Sequence, residues 1–375
     1  MQSSCAESCR PCPVSRKTGV DYQMRNKQFK LARHAGQTSV AAKKEKINSR
    51  PQSRIVPTNT ARVGLARFQP EGIYGRLKRF LGRPEFGDKR FRILFLRLWW
   101  ELRRKMFKNL PSARLNEGTR LWLLPDPGCF GLYATGVSER EVSEFIQSYL
   151  RPGMTFVDVG AYVGEHSVRA SRIVRDGGRV YAFEPSPATF RVLTRNIHSN
   201  RLRNVVCQRI ALSDRCGEAL YENRLYPDGS GLRRVAEDLQ INTVNPVLSS
   251  ESVKTMSLDD YARKENLLAV DLVKLDVEGA ELKVLRGSTD VLSSFGPALV
   301  FEFDTRLMAT YAVHPTDVLS FLGAKGYRVF LLHTEASGLV LTPFRFPRGN
   351  DMRANLIAFR EDDVRFKNFL SDCPL

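Results

Sequence analysis

The sequence predicts an α/β protein with a mostly parallel, doubly wound sheet. Short runs rich in Val, Ile, Leu and Phe recur between residues 119 and 361, and amphipathic, helix-forming stretches separate most of them. Strands that alternate with helices in this way pair in parallel, with helices packed on both faces of the sheet. Ligands of such sheets bind at the carboxyl ends of the strands. We therefore expect functional residues at those ends.

The elements are predicted from local patterns in chain order. An outer strand at 119–124 precedes a helix at 138–150, where Ser138 and Glu141 have the spacing of a capping box. The pattern then predicts strand 155–161, helix 165–175, strand 179–185, helix 187–199 and strand 205–212. A polar loop near 236–250 separates these from helix 258–265, strand 270–276, helix 280–293, strand 298–304 and helix 315–325. The apolar runs YRVFLLH and NLIAFRE are predicted to close the fold.

Basic residues are concentrated at the amino-terminal end of the 375-residue chain. The net charge is +18; residues 1–110 hold 26 basic and 7 acidic residues, and residues 111–375 hold 32 and 33. We predict a basic, disordered arm over 1–85, a basic amphipathic helix over 86–110 and a folded domain over 111–375. Such an arm suits nucleic acid, an anionic membrane or a polyanionic substrate, and a solvated extension is the equal alternative.

The helix predicted within 86–108 presents an apolar stripe at helical spacing. The stripe consists of Phe91, Leu94, Phe95, Leu98, Leu102 and Met106. Trp99 and Trp100 beside basic residues suit a helix that lies on an anionic membrane surface. We favour the alternative of a helix packed on the domain, since core packing requires the same kind of stripe.

Three features bear on location. No apolar stretch is long enough to span a membrane, and the first thirty residues lack the apolar region of a secretory signal. The seven cysteines are too few and too scattered to form the framework of a disulfide-rich secreted protein. We therefore predict a cytoplasmic protein in which any membrane contact is peripheral.

The segment DVGAYVG (158–164) contains two glycines. It begins within the predicted strand 155–161 and forms a turn before the predicted helix 165–175. A dinucleotide-binding loop would have glycine at Tyr162, where the backbone approaches a pyrophosphate. A phosphate-binding Walker loop would have Lys after Gly164, but the chain has Glu165, which repels phosphate at a helix N-terminus. Asp158, Gly160 and Gly164 therefore suit a phosphate-free ligand with a zwitterionic group and a ribose, which describes S-adenosyl-L-methionine (SAM).

Two acids at the next strand ends complete the predicted cofactor site. Glu184 lies at the end of strand 179–185, where a carboxylate can accept hydrogen bonds from both ribose hydroxyls. Asp214 follows strand 205–212 and could present its carboxylate or its backbone to the adenine amino group. A single acid at a strand end often only caps a helix or forms a surface turn. Acids and glycines at three successive strand ends favour a ligand site.

A second polar constellation lies in KLDVEGAE (274–281). Strand alternation places Lys274 and Asp276 on one face before the chain turns at Gly279. Glu302 and Asp304 lie on one face of strand 298–304. If strands 270–276 and 298–304 are neighbours, the carboxylates of both strands converge. Such clusters are costly unless they bind a proton, a cation or a substrate hydroxyl. A purely structural pairing of Lys274 with Asp276 is the alternative. We predict no resident metal, and Mg²⁺ is the less favoured option.

Four motifs resemble those of the FkbM family of class I SAM-dependent methyltransferases: FVDVGAYVGEHS, AFEPSP, IALSD, and VKLDVEGAELKVLRG followed by FEFD. The KxDxEGxE run is the most distinctive part of a resemblance that extends from about Leu132 to Phe359. It implies a Rossmann-like fold that binds SAM, with a mostly parallel seven-stranded sheet and an antiparallel edge strand. It implies cofactor-binding roles for Asp158, Gly160, Gly164, Glu184 and Asp214, and places near the substrate for Lys274, Asp276, Glu278 and Glu281. Tyr162 departs from the family, which often has Asn there.

The resemblance implies direct in-line methyl transfer to a hydroxyl of a sugar, glycolipid, polyketide or related metabolite. Asp276 or Glu278 is the candidate base, Lys274 would orient it, and Glu281 and Glu302 would contact the substrate. A nucleic-acid methyltransferase would explain the basic arm, but the Pro-Cys and (D/N)PP(Y/F/W) motifs of such enzymes are absent at the corresponding turn. A non-catalytic SAM-binding module is the other alternative.

Overall fold

The computed structural model of the chain describes residues 90–106, 110–115, 117–126, 128–224, 230–232, 246–335, 338–347, 351–366 and 369. The predicted arm at 1–85 and residues 236–245 of the predicted polar loop lie outside the described residues. Among the helices that are described, none is long and apolar enough to cross a membrane.

Helices and strands alternate through the described residues. The helices are α1 (Arg90–Met106), α2 (Cys129–Thr135), α3 (Arg140–Tyr149), α4 (Glu165–Val174), α5 (Pro187–Ser199), α6 (Leu258–Lys264), α7 (Glu281–Arg286), α8 (Thr289–Ser294), α9 (Thr305–Thr310) and α10 (Pro315–Ala324). The strands are β1 (Ser112–Arg114), β2 (Arg120–Trp122), β3 (Thr155–Val159), β4 (Arg179–Phe183), β5 (Val205–Gln208), β6 (Ala211–Leu212), β7 (Gly217–Arg224), β8 (Gly231–Leu232), β9 (Val247–Met256), β10 (Leu272–Leu275), β11 (Ala298–Asp304), β12 (Tyr327–Glu335), β13 (Gly338–Pro343) and β14 (Arg353–Arg360).

The main sheet has the strand order β13-β12-β14-β11-β10-β3-β4-β5. Strands β11, β10, β3, β4 and β5 pair in parallel, whereas β14 is antiparallel to β11 and β12. The predicted fold class is therefore confirmed, although two details differ. In the part of the chain that is described, a hairpin partner, β13, adds an eighth strand. The antiparallel strand β14 lies inside the sheet, because its run Leu356–Phe359 is apolar on both faces and requires cover on both.

Helices cover both faces of the main sheet. On one face, Val157 and Leu275 pack with residues of α6, α7, α8 and α10. On the other face, Phe156 and Val300 pack with residues of α3 and α4. Asp158, Lys274 and Glu302 lie on this second face, because each follows an apolar residue of that face by two positions in its strand.

A smaller sheet with the order β6-β9-β7-β8 is inserted between β5 and β10. The strand predicted at 205–212 is in fact divided, since Val205–Gln208 belongs to the main sheet and Ala211–Leu212 pairs with β9. Strands β7 and β9 have mostly half-buried or exposed residues, so they lack the apolar alternation that reveals a strand in a sequence.

Helix α1 packs on the domain, but with a different face from the predicted one. Ile93 and Trp100 are buried, and the Trp100 ring lies 4.7 Å from the Tyr133 ring, between centroids. The predicted stripe residues Phe95, Leu98, Leu102 and Met106 are instead exposed. The apolar residues of α1 therefore form two opposite faces, and the sequence pattern did not indicate which of them meets the domain.

Candidate functional site

A cavity of about 340 Å³ opens at the carboxyl ends of β3, β4 and β10. The chain leaves β3 towards β4 on one side and reaches β10 on the other, so the cavity lies at the topological switch point of the sheet. Its walls include four acids and one base among the described residues: Asp126, Glu184, Asp276, Glu278 and Arg224. The excess of carboxylates favours a ligand that carries positive charge over a phosphate.

The glycine turn after β3 is shaped by close backbone packing. Gly160 has a φ of +78°, and a Cβ at this position would lie 1.9 Å from the carbonyl oxygen of Asp276. The N–H groups of Gly160 and Ala161 both donate to the carbonyl oxygen of Phe183, at 3.0 and 2.9 Å. The turn is thereby held between the ends of β4 and β10, and only glycine fits where it passes β10.

Tyr162 occupies the next left-handed position, with a φ of +50°. This conformation is uncommon for aromatic residues, whereas Asn adopts it more readily. The Tyr162 hydroxyl donates to the Asp126 carboxylate, with oxygens at 2.8 and 2.7 Å. This hydrogen bond places the Tyr162 ring in the cavity wall next to Asp126, which precedes α2 and which no sequence pattern had indicated as a site residue.

Glu184 is buried in the cavity wall, where it meets two backbone donors. Its Oε1 accepts the N–H of Ser186 at 2.9 Å, and its Oε2 accepts the N–H of Tyr162 at 3.1 Å. Burial raises the pKa of Glu184 to about 8, although both backbone donors oppose the shift. In the ionised form each oxygen keeps a second lone pair, so the carboxylate can accept hydrogen bonds from a ligand, and a ligand that donates them favours ionisation.

The other predicted cofactor residues lie elsewhere. Asp158 is buried beneath the turn, where Oδ2 accepts the Ser167 hydroxyl at 2.6 Å and Oδ1 lies 3.8 Å from the Lys274 ammonium. Asp214 is exposed, and Leu212 rather than Asp214 lines the cavity. Gly164 has a φ of +88° and caps α4. The cofactor roles of Asp158, Gly164 and Asp214 therefore remain predictions. Asp158 does not line the cavity, so its predicted role would be to hold the glycine turn in place.

Lys274 and Asp276 form the centre of the predicted acceptor side. The Lys274 ammonium is buried and lies 3.1 Å from Oδ2 of Asp276, which is also a wall residue of the cavity. Burial raises the pKa of the Asp276 carboxyl, although the charge of Lys274 opposes the shift. Burial lowers the pKa of Lys274, but Asp276 and Asp158 more than offset this, so its pKa is raised and it stays charged.

Glu281 and Glu302 have different neighbours. Oε1 of Glu281 accepts the N–H groups of Val277 and Gly279, both at 3.2 Å, so this carboxylate braces the turn that presents Glu278. Oε1 of Glu302 lies 2.7 Å from Nε of Arg353, and Oε2 has no hydrogen-bond partner among the described residues. Neither lines the cavity, so the predicted substrate contact of both residues stays a prediction.

Carboxylate oxygens of Asp276, Glu278 and Glu302 all lie within 4.8 Å of one another. The convergence predicted from strand parity is present for Asp276 and Glu302, because β10 and β11 are neighbours. Asp304, which was predicted to join them, instead caps α9 by accepting the N–H groups of Arg306 and Leu307. Burial and the charge of Asp276 raise the pKa of Glu302 to about 8. A proton or a cation is the usual means of accommodating acids at such a spacing.

The pKa of Glu302 predicts how the Glu302→Gln variant responds to pH. Glutamate has a pKa of about 4.5 when unfolded and about 8 in the folded chain, so the stability of the wild type falls as pH rises through this window. Gln cannot titrate, so the variant should gain roughly 1–3 kcal/mol relative to the wild type between about pH 5 and pH 9. Urea unfolding at both pH values measures this gain. The same substitution at exposed Glu361 is the control, and parallel pH profiles for all three proteins would disprove the assignment.

The sequence pattern did not indicate a pair formed by buried His166 and half-buried Glu139. His166 of α4 is buried, and its Nε2 lies 3.2 Å from Oε2 of Glu139. Burial opposes ionisation of Glu139, but the hydrogen bond from His166 and the charge of Lys274 lower its pKa to about 2. Because the two residues are 27 positions apart, no local pattern links them.

The predicted capping box before α3 is wrong. Glu139 is the N-cap of this helix, without a side-chain cap. The N–H of Ser138 donates to Oε2 of Glu165 at 3.1 Å, and the Ser138 hydroxyl donates to the same carboxylate. Glu165, read from the sequence as an acid that would repel phosphate, is thus buried in a structural network that also includes Arg169.

Comparison with known proteins relates the chain to methyltransferases. Residues 158–329 match the family model described as "Methyltransferase FkbM domain". The hexuronic acid methyltransferase AglP of Haloferax volcanii is 33% identical over 144 residues, which are 38% of this chain and 53% of that protein. The 31-O-demethyl-FK506 methyltransferase FkbM of Streptomyces tacrolimicus is 30% identical over 162 residues, 38% of this chain and 62% of that protein. The chain thus spans less than two thirds of the length of either relative. The solved structure of methyltransferase FkbM from Methylobacillus flagellatus KT is 17% identical in sequence and has a TM-score of 0.33. The match covers 62% of this chain and 52% of that protein's chain.

Proposed function

Since the chain carries an FkbM-family methyltransferase domain, we propose that it transfers a methyl group from SAM to a hydroxyl of a sugar, glycolipid, polyketide or related metabolite. One observation carries this proposal. A single cavity is lined by the predicted cofactor residues Gly160 and Glu184 and by Asp276 and Glu278 of the acid-rich turn. Two relatives are named for a hexuronic acid and for 31-O-demethyl-FK506, which supports a small-molecule or glycan acceptor.

The residues of the cavity fit SAM. Its volume, about 340 Å³, is within the range of small-molecule and cofactor sites. Glu184 offers a buried carboxylate with unused acceptor capacity, as a ribose diol requires, and the carboxylate-rich wall suits a cationic ligand. SAM, when bound, supplies an electrophilic methyl group on a sulfonium. Leu212 and Ile210 provide an apolar wall beyond Glu184 that suits an adenine ring.

The mechanism assigns the proton of the acceptor hydroxyl to Asp276. Methyl transfer of this kind needs no covalent enzyme intermediate, so the protein contributes mainly by positioning, for which effective molarities of about 10⁵ M or more are available. A protonated hydroxyl is a poor nucleophile, and a base placed on it adds roughly 10²–10⁴-fold. Burial makes Asp276 a stronger base than an exposed aspartate, and Lys274 holds its Oδ2 at 3.1 Å.

Mg²⁺ at Asp276, Glu278 and Glu302 is the less favoured alternative to this base. The three carboxylates are close enough to hold a cation. However, Lys274 already lies 3.1 Å from Asp276, and Arg353 lies 2.7 Å from Glu302, so positive charge is supplied by the protein itself. A divalent cation there would meet electrostatic repulsion from both side chains.

Glu184→Gln should weaken SAM binding about tenfold to hundredfold, as expected for the loss of one charge-assisted hydrogen bond. The amide nitrogen of Gln would also face the backbone N–H of Tyr162 or Ser186, where only an acceptor fits. Isothermal titration with SAM measures the change. Glu165→Gln is the matched control, since Glu165 is equally buried and also accepts a backbone N–H but does not line the cavity. Equal losses in both variants would remove Glu184 from the binding site.

Transfer of labelled methyl from SAM tests the proposed function directly. The purified protein would be incubated with hexuronic acids, neutral sugars, glycolipid extracts, a macrolide polyketide and nucleic acid, with and without a chelator. We expect chelator-resistant label on a hydroxyl oxygen of one small-molecule or glycan class. Label confined to nucleic acid would establish the nucleic-acid alternative, and SAM binding without transfer to any acceptor would establish a binding module.

A further inference from the structure

Helix α1 carries an apolar surface that the domain does not cover. Phe95, Leu98, Trp99, Leu102 and Met106, the exposed stripe, are 67, 63, 40, 48 and 64% exposed. These five residues are half of the ten large hydrophobic residues that are exposed in the described part of the chain, and all lie within one 17-residue helix. Single exposed apolar residues are ordinary, but a contiguous group of this kind marks a contact surface.

The exposed stripe lies opposite the face by which α1 is attached. At 100° per residue, its five members fall within an arc of about 100° centred roughly 180° from Ile93 and Trp100. Those two residues are buried, and Trp100 packs on Phe130 and Tyr133. A partner can therefore cover the exposed stripe while the attachment of α1 to the domain stays intact.

The charge of α1 determines which partner fits. The helix contains six basic residues and one acid, Glu101, and it lies at the end of a segment, 1–110, whose net charge is +19. A second copy of this chain that docked α1 against α1 would bring the same basic residues against these cations. An anionic bilayer offers an apolar layer for the exposed stripe and negatively charged headgroups for a helix with this excess of basic residues. Trp99, half-exposed at the border of the stripe, is the residue type that prefers the depth of the headgroups.

We propose that the exposed stripe of α1 binds the surface of an anionic lipid bilayer, with the helix lying in the plane of the membrane. This contact is peripheral, because α1 is too short and too charged to span a bilayer. The proposal does not depend on the methyl acceptor, since the stripe shares no residue with the cavity.

Sedimentation of the full-length protein with vesicles tests the proposal. Vesicles of phosphatidylcholine alone are compared with vesicles that also contain phosphatidylserine. We expect the wild type to bind the anionic vesicles, and the Leu98→Gln, Leu102→Gln double variant to bind them at least tenfold more weakly. The matched control is Leu268→Gln, Val364→Gln, which removes two equally exposed apolar residues outside α1 and should bind as the wild type does.

Quenching of tryptophan fluorescence by brominated lipids separates insertion of α1 from electrostatic attraction of the basic arm. Trp100 is buried and Trp122 is half-buried, so lipid quenching should come from Trp99 and should be largely lost in Trp99→Phe. The proposal is overturned if the wild type ignores anionic vesicles or if the stripe variant binds them unchanged. It is also overturned if the stripe variant only abolishes a concentration-dependent dimer, which would make the exposed stripe a contact between two copies.

Discussion

Asp276→Asn should lower the turnover of methyl transfer by about 10²–10⁴-fold and lower SAM affinity far less, since three other acids of the cavity wall remain. Asparagine has the shape of aspartate, so the backbone contact between Asp276 and Gly160 stays, and the cavity wall keeps its form. The variant loses only the carboxylate that can accept the proton of the acceptor hydroxyl. Steady-state kinetics with a confirmed acceptor, together with calorimetric titration of SAM, measure the two quantities separately.

The pH dependence of turnover strengthens this test. In the wild type, Asp276 must be ionised to act as a base, and burial raises its pKa. Turnover should therefore fall on the acid side as the carboxylate is protonated, and this limb should disappear in Asp276→Asn. Glu278→Gln is the companion variant, since Glu278 lines the same cavity. If Asp276→Asn turns over at the wild-type rate and Glu278→Gln does not, the base is Glu278.

Gly160→Ala should destabilise the domain by about 3 kcal/mol or more and abolish SAM binding. A methyl group here has to occupy a left-handed position, and it would lie 1.9 Å from the carbonyl oxygen of Asp276. That oxygen belongs to the backbone at the end of β10, so neither side can yield without moving the turn or the strand. Urea unfolding and SAM titration measure the two effects.

Gly153→Ala separates the cost of the left-handed backbone conformation from the cost of the steric clash with Asp276. Gly153 has a φ of +87°, similar to that of Gly160, but a Cβ there would meet nothing within 4 Å. The free energy of unfolding of this variant should fall by only about 1 kcal/mol, the cost of the left-handed conformation, and the variant should bind SAM normally. Equal destabilisation in the two variants would show that the approach of the turn to β10 is less close than described.

Local signals predicted the central elements well. Helix α5 and strand β11 have the predicted bounds, 187–199 and 298–304. The first begins at a proline and the second is a continuous apolar run, and both signals are contained in a few neighbouring residues. The predicted helix 280–293 is two helices, α7 and α8, that are divided at Gly287 and Ser288, where the chain passes close to Ser213: a Cβ at Gly287 would lie 2.0 Å from the Ser213 carbonyl oxygen. This contact with a distant segment is not encoded in the local pattern, which is continuous across 280–293.

Spacing at strand ends identified some of the residues that line the cavity, although Asp214, predicted in the same way, is exposed and does not line it. Glu184 and Asp276 follow buried strands and do line the cavity. Asp126 enters through its hydrogen bond with Tyr162, 36 residues away, and Tyr221 and Arg224 enter on the inserted sheet. Such positions depend on how separate segments pack, which periodicity and spacing within one segment do not encode.

The interior position of β14 has a consequence for synthesis of the chain. Strands β11 and β12 are complete by residue 335, but the strand that joins them is made only at 353–360. Until then, a nascent polypeptide exposes two unpaired edges, to which other chains can add. We therefore expect a chain that ends between these points to aggregate more readily than the complete chain.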